Sequence, residues 1–274
     1  MKRSWKIGIA LAGAFVLVLA AGGAALASGR MHDGFVKRRI TRHIDQALDA
    51  VGATSAQRDA VHAARDHVFA TIAANREAER GDMQAALSLW ESERMDPAAI
   101  ASLRAHHQAA AKKTGDAVVQ ALSDAHDALT APQRQQLADY LRSHKPAQNQ
   151  KWADGAKPFV RHMVAERLDD MLDQIHATAD QRAKVTAAVD RAFATISANF
   201  DDHAAHFDDA VAVFTADQID QAKLASLQAE RQAKMQQAGD AIVQALTEAH
   251  DALDAGQRHE VAAFVRAHHP RHGE

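Results

Sequence analysis

Two histidines three residues apart, His203 and His206, are the clearest candidates for chemistry in a sequence that contains seventeen histidines. On a helix this spacing places both imidazoles on one face. Carboxylates flank them on both sides, at Asp201, Asp202, Asp208 and Asp209. Imidazole and carboxylate ligands suit zinc, nickel or copper, so the pattern predicts a metal site at His203, His206 and Asp202. The alternative is a solvated acidic helix face.

Catalytic motifs are missing from the sequence. His259-Glu260 begins like the helix of a zinc protease, but Ala263 stands where that motif needs its second histidine. There is no glycine-rich phosphate loop, no G-x-S-x-G elbow and no cysteine for a thiol nucleophile or a disulfide. We therefore expect no enzymatic activity and no required cofactor, with zinc, nickel or copper as the alternative described above.

The sequence contains two similar copies of one segment. Residues 120–141 read QALSDAHDALTAPQRQQLADYL, and residues 244–265 read QALTEAHDALDAGQRHEVAAFV. Phe35 pairs with Phe159 and Pro146 with Pro270, an offset of 124 residues in both cases, and no gap is needed between these limits. Duplication of one unit is the simplest explanation. The sequence therefore contains a first copy, residues 35–146, and a second copy, residues 159–270.

Composition predicts that both copies are helical. The chain is rich in alanine and has 5 prolines, 13 glycines and a single tyrosine, a balance that favours helices over strands. The first copy has 15 lysines and arginines against 14 aspartates and glutamates, and the second has 10 against 18. Because neither copy has a concentrated basic face, we expect no nucleic-acid partner.

Threonine followed three residues later by glutamine marks helix starts in both copies. The hydroxyl accepts from a free amide of the first turn, and the glutamine reaches back to the cap amide. The predicted caps pair Thr54 with Gln57, Thr130 with Gln133, Thr178 with Gln181 and Asp254 with Gln257. His126 and His250 precede the last cap of each copy, and we interpret them as structural hydrogen-bonding groups.

Four large apolar side chains lie where the copies differ most, in residues 76–96 and 200–220: Met83, Trp90, Phe207 and Phe214. The apolar character of these positions survives while polar neighbours change. Either these side chains cover the core between helices, or they form a semi-exposed patch for a partner, since exposed apolar patches usually mark interaction sites. Under the second interpretation they are the contacts for a client protein.

Residues 1–27 are typical of an export signal. Lys2, Arg3 and Lys6 precede an apolar run, and Ala25-Leu26-Ala27 is a small-x-small cleavage site. The alternative is an uncleaved anchor, because the apolar run is nearly long enough to span a bilayer. We expect cleavage, a periplasmic location and no membrane contact afterwards. The predicted domains are a first repeat at 28–146, a linker at 147–158, a second repeat at 159–270 and a tail at 271–274.

These caps resemble the LTxxQ motif of the Spy/CpxP family of periplasmic proteins. Leu129, Thr130 and Gln133 match the motif in full, Leu253 and Gln257 match without the threonine, and the caps at Thr54 and Thr178 lack the leucine. The resemblance implies small helical hairpins that pair into a curved dimer. It also implies that some relatives hold unfolded proteins without ATP, others regulate envelope stress signalling, and others bind heavy metals.

From the resemblance and the repeat we expect an all-α protein of two tandem four-helix hairpin units, with a fused pseudo-dimer as one arrangement of the copies. The expected function is an ATP-independent periplasmic chaperone for unfolded or misfolded envelope proteins. The periplasmic domain of a sensor kinase is a further expected partner. The alternative function is a periplasmic protein that binds or senses a heavy metal through His203 and His206.

Overall fold

Helix-forming residues dominate both copies, and the chain is helical throughout the part that the structure describes. The structure is a computed structural model that describes residues 33–144, 148–201 and 203–268. Within these ranges every regular element is an α-helix, which confirms the predicted all-α class. None of these helices is both long enough and apolar enough to cross a membrane.

The helices follow the repeat. The first copy forms α1 (Asp33–Ala50), α2 (Ser55–Glu91), α3 (Pro97–Ala128) and α4 (Ala131–His144). The second forms α5 (Gln148–Gln174), α6 (Ala179–Asp201), α7 (His203–Thr215), α8 (Gln221–Ala252) and α9 (Ala255–His268). Residues 148–158, expected to belong to a linker, are the first turns of α5. Pro158, one of the residues that suggested the linker, lies inside this helix and is exposed.

Paired glutamines join the helix caps of the first copy. The Thr54 amide donates to Gln57 Oε1 at 2.9 Å, and the Thr130 amide donates to Gln133 Oε1 at 3.0 Å. The two glutamine amides also bond to each other at 2.7 and 3.1 Å. Gln57 Nε2 then reaches the carbonyl oxygen of Ala128, the last residue of α3, at 2.9 Å. Two helix starts and a helix end are thus tied together.

The second copy repeats this arrangement. Thr178 and Asp254 donate their amides to Gln181 and Gln257 at 2.9 and 3.0 Å. The glutamines bond to each other at 2.8 and 3.0 Å, and Gln181 Nε2 donates to Ala252 O at 3.0 Å. Aspartate replaces threonine as the cap because Asp254 Oδ1 accepts from the Gln257 amide at 2.9 Å. The bond that the Thr130 hydroxyl donates to Gln133 Oε1 at 3.0 Å has no equivalent at Asp254.

Two compact units divide the chain, and each contains parts of both copies. Of the described residues, unit 1 contains those up to Arg76, those from Lys112 to Ala153 and those from His203 to Gln228. Unit 2 contains Glu77–Ala111, those from Asp154 to Asp201 and those from Ala229 to His268. The far end of each copy's long hairpin therefore belongs to the unit built mainly from the other copy. A helix of 37 residues such as α2 is about 55 Å long, too long for both ends to pack in one small core.

The core of each unit mixes the copies accordingly. In unit 1, buried side chains of the first copy such as Val68 and Leu122 cluster with Phe207 and Phe214. In unit 2, Leu172 and Ile175 cluster with Leu87 and Trp90, whose counterparts 124 residues later are Val211 and Phe214. The exchange is therefore reciprocal.

A buried histidine holds the exchanged segment in each unit. In unit 1, His126 Nε2 donates to Ala216 O at 3.0 Å, and its ring lies edge-on to Phe214 with centroids 6.2 Å apart. In unit 2, His250 Nε2 donates to Ser92 O at 3.1 Å, and its ring lies edge-on to Trp90 at 5.8 Å. Both histidines thus serve as structural hydrogen-bonding groups between segments from different copies.

Candidate binding site

Matched positions that are apolar in both copies differ sharply in exposure between the two units. In unit 1 the exposed fractions are 2% for Ile40, 8% for Val118, 3% for Leu122 and 2% for Phe207. In unit 2 their counterparts are exposed at 37% for Val164, 44% for Ile242, 45% for Leu246 and 42% for Met83. Unit 2 therefore keeps apolar side chains at positions that it does not bury.

We use the name open face for these four residues together with the other large apolar side chains that unit 2 exposes. These others include Phe159, Val160 and Met163 on α5 and Met235 on α8. In unit 1 the counterparts of the first four, Ile40, Val118, Leu122 and Phe207, lie in one continuous buried cluster. By the repeat, Met83, Val164, Ile242 and Leu246 are expected to lie around the matched region of unit 2.

The helices that carry the open face are anchored in the same way as their counterparts. Leu172 and Ile175, near the end of α5, are 0% and 2% exposed. Earlier in α5, Arg161 forms an ion pair with Asp190 of α6 at 3.1 Å. The matching pair in unit 1 joins Lys37 to Asp66 at 3.7 Å. The first helix of each copy thus keeps its attachment, while α5 exposes Val164 at the position where α1 buries Ile40.

Smaller side chains explain part of the difference. Relative to unit 1, valine replaces isoleucine at Val164 and leucine at Val261, and alanine replaces valine at Ala192. Each change removes methyl groups that would fill the interior, and protein cores tolerate few voids. Other matched positions are larger in unit 2, since isoleucine replaces valine at Ile175 and Ile242, so these changes do not account for the open face alone.

Charge also separates the two units. Over the described residues, unit 1 has 13 lysines and arginines against 13 aspartates and glutamates, and unit 2 has 13 against 20. The difference extends to the edge of the open face. In α5, Met163 and Glu166 occupy the positions of Arg39 and Arg42 in α1. A basic helix edge in the first copy has thus become apolar and acidic in the second.

Of the four side chains expected to contact a client, three are buried. Trp90, Phe207 and Phe214 are 9%, 2% and 5% exposed, and Trp90 Nε1 donates to Arg258 O at 3.0 Å. They are buried because each lies on a hairpin end that packs into the unit formed mainly by the other copy. A partner cannot reach them in this structure, and of the four only Met83 lies on the open face.

The predicted metal ligands lie outside what the structure describes in atomic detail. His203 and His206 are placed on the backbone of α7, but their side chains, like the whole of Asp202, are outside the described residues. Among the side chains that are described, no group of three or more histidines, aspartates and glutamates could hold a metal ion. The metal hypothesis therefore stays a prediction.

Most of the open face was not identified from the sequence. Ile242 and Leu246 share the helical spacing of the buried Leu253, so spacing alone does not mark them as exposed. The useful signal was the replacement of Arg39 by Met163, which adds a large apolar side chain next to Val164. A gain of apolar surface at a position that is charged in the other copy is unexpected if that helix only stabilises the fold.

Comparisons with protein-family models, with curated proteins and with solved structures gave no match. The function is therefore argued from the geometry of the two units.

Proposed function

We propose that this chain is an exported, ATP-independent chaperone that holds unfolded or misfolded envelope proteins on the open face of unit 2. Such binding needs accessible apolar surface on a stable support, and it needs no catalytic group. The basic and apolar pattern of residues 1–27, which lie outside the described residues, supports export to the periplasm. The Thr-x-x-Gln caps support a relationship with the Spy/CpxP family.

One observation carries the proposal: four apolar positions are closed in unit 1 and open at the matched positions of unit 2. Full burial of a large aliphatic side chain provides about 1.5–3 kcal/mol, and side chains that stay 37–45% exposed forgo part of it. The second copy nevertheless retains valine, isoleucine, leucine and methionine at these positions. Retention of apolar side chains at a cost in stability is understandable if they bind a partner.

The proposal includes a fused pseudo-dimer of two four-helix units. Its support is the reciprocal exchange, in which His126 bonds to Ala216 of the second copy and His250 bonds to Ser92 of the first. In this arrangement the second copy replaces a partner subunit. Analytical ultracentrifugation should then find a monomer at low micromolar concentration, and an obligate dimer would contradict this part of the proposal.

Light scattering from an aggregating client tests the chaperone activity. The wild-type chain, in several-fold molar excess, should suppress aggregation of a reduced or heat-unfolded client without ATP. A variant with Ile242→Ser and Leu246→Ser should lose most of this suppression, because both side chains are exposed and contribute apolar surface rather than core packing. Its thermal unfolding should remain close to that of the wild type.

The matched control replaces two exposed polar residues of the same helix, Gln236→Ser and Gln237→Ser, and should behave as wild type. No suppression by the wild-type chain would refute the chaperone function. Equal suppression by all three proteins would instead remove the open face as the client site.

A further inference from the structure

The open face has a matched site in the same chain whose occupant is known. In unit 1 the corresponding region contains the ring of Phe207, which is among the largest fully buried side chains of the protein. Phe207 is carried by α7, together with Ala210, Val211 and Phe214, at helical spacing. Unit 1 thus shows that this surface accepts a large apolar side chain from another segment.

Unit 2 does not fill its own site. The matched part of α2 buries Leu87 and Trp90, at 9% exposure each, but leaves Met83 exposed at 42%. This part of α2 therefore packs into unit 2 at Leu87 and Trp90 but leaves Met83 exposed. At the position of Met83, unit 1 has the ring of Phe207. The apolar side chains of α5 and α8 in the open face remain exposed.

The charge of unit 2 indicates which residues should flank the large apolar side chain in a segment that binds the open face. Seven more acidic than basic residues lie in the described part of unit 2, since 20 aspartates and glutamates oppose 13 lysines and arginines. On α5, Glu166 and Asp170 follow Met163 by three and seven residues, so they border the same side of the helix. A cationic segment is attracted to such a surface, whereas an acidic one is repelled.

We propose that the open face selects segments of non-native polypeptides in which a phenylalanine or another large apolar side chain lies next to lysine or arginine. This inference rests on the proposed chaperone function and adds its substrate class. The large side chain occupies the region that Phe207 fills in unit 1. The neighbouring cations lie towards Glu166 and Asp170, which form the acidic edge of the open face.

Binding of labelled peptides, followed by fluorescence anisotropy, tests the selection. One peptide places lysine beside each phenylalanine, a second replaces every lysine by glutamate, a third replaces it by serine, and a fourth replaces every phenylalanine by alanine. The lysine–phenylalanine peptide should bind about tenfold more tightly than the serine version, because a few exposed charge pairs contribute about 0.2–1 kcal/mol each. The glutamate and alanine versions should bind more weakly still.

Two variants locate the contacts. Ile242→Ser with Leu246→Ser should abolish binding of every phenylalanine peptide. Glu166→Gln with Asp170→Asn should weaken the lysine–phenylalanine peptide to the level of the serine version and leave the serine version unchanged. Added salt should have the same effect on the wild-type chain. The Gln236→Ser, Gln237→Ser protein is again the control.

Failure of this inference is distinct from failure of the proposed function. Equal binding of the lysine, serine and glutamate versions, with loss in the Ile242→Ser, Leu246→Ser protein, would overturn the charge selection while client holding remained. Binding of the alanine version as tight as that of the phenylalanine version would overturn the role of the large apolar side chain. Suppression of aggregation is measured separately, and its absence would refute the chaperone function itself.

Discussion

Unit 1 and unit 2 are built from the same repeat but differ in how far their cores are closed. At the end of each unit that holds the glutamine caps, both keep the same hydrogen bonds and buried leucine and isoleucine side chains. Away from the caps, unit 1 continues as a buried cluster that includes Phe207, while unit 2 exposes Met83 and its neighbours. The caps therefore hold the fold, and the remaining surface is free to diverge.

Duplication makes such divergence possible. A homodimer of identical subunits would carry every change in both of its units, because each subunit has the same sequence. In this chain, a smaller side chain at Val164 or Ala192 affects unit 2 alone. The closed unit can supply stability, while the open unit keeps apolar side chains in water at a cost that a marginally stable single domain could not easily bear.

Truncation of matched residues should give the largest difference between the units. Phe207→Ala should reduce the free energy of unfolding by about 3–5 kcal/mol, because it removes a buried ring and leaves a cavity. Met83→Ala, at the matched position of unit 2, should change it by about 1 kcal/mol or less, because that side chain is already 42% exposed. Urea denaturation followed by circular dichroism measures both.

Leu122→Ala and Leu246→Ala provide an independent pair at 3% and 45% exposure. The same ordering is expected for this pair, with the larger loss at Leu122. Equal losses within each pair would mean that unit 2 is closed in solution, and the open face would then not exist as described.

Removal of a cap glutamine should have an intermediate effect that is the same in both units. Gln57→Ala and Gln181→Ala each remove the bonds to the cap amide, to the partner glutamine and to the last carbonyl of a neighbouring helix. Each should cost about 2 kcal/mol, since N-cap bonds alone contribute about 0.5–2 kcal/mol. Urea denaturation again gives the values, with the exposed Gln135→Ala as the control.

A clear loss in only one of the two cap variants would show that the shared hydrogen bonds do not carry equal weight. The two units would then differ in the strength of their caps as well as in the exposure of their apolar side chains. Equal losses would place the whole difference between the units away from the caps.

Local patterns in the sequence predicted what depends on neighbours along the chain. The spacing of Thr130 and Gln133 was enough to expect a helix start, because a capping box is made by residues three apart. The bond between Gln57 and Gln133 was not predictable in this way, since it joins residues 76 positions apart. Periodicity identifies which residues share a helix face, but it does not identify the segment that covers that face.

The exchanged hairpins illustrate this limit. Trp90 and Phe214 have the same helical spacing relative to their own copies, and each would be apolar whether it packed within its copy or against the other. The length of α2 explains why Trp90 packs in unit 2. Residues 76–91 continue α2 without a break, and this continuity carries Trp90 into unit 2. The repeat marks residues 76–96 only as a segment where the copies differ, which does not indicate the unit that it enters.

Neutralising the ion cluster around Glu91 of unit 2 should give the smallest effect. Glu91 accepts hydrogen bonds from Arg266 Nη1 at 3.0 Å and from His259 Nδ1 at 2.8 Å, and these groups, Arg266 foremost, lower the pKa of the Glu91 carboxyl. Its counterpart in unit 1 is Thr215, which bonds instead to backbone carbonyls of its own helix. Glu91→Gln should therefore shift the urea midpoint less than Gln181→Ala does.

The direction of the pH dependence of the Glu91→Gln effect follows from the lowered pKa of the Glu91 carboxyl. A carboxyl whose pKa is lower in the folded than in the unfolded state adds stability that is complete above the unfolded pKa and is lost as pH falls through the folded one. The wild type should thus exceed Glu91→Gln in stability at pH 7, and the difference should vanish as Glu91 protonates. Asp66 in unit 1 also has a lowered pKa, caused mainly by its hydrogen bond with Arg65. Asp66→Asn should follow the same pH trend, so a pH-independent difference for Glu91→Gln alone would indicate that the glutamine disturbs packing rather than charge.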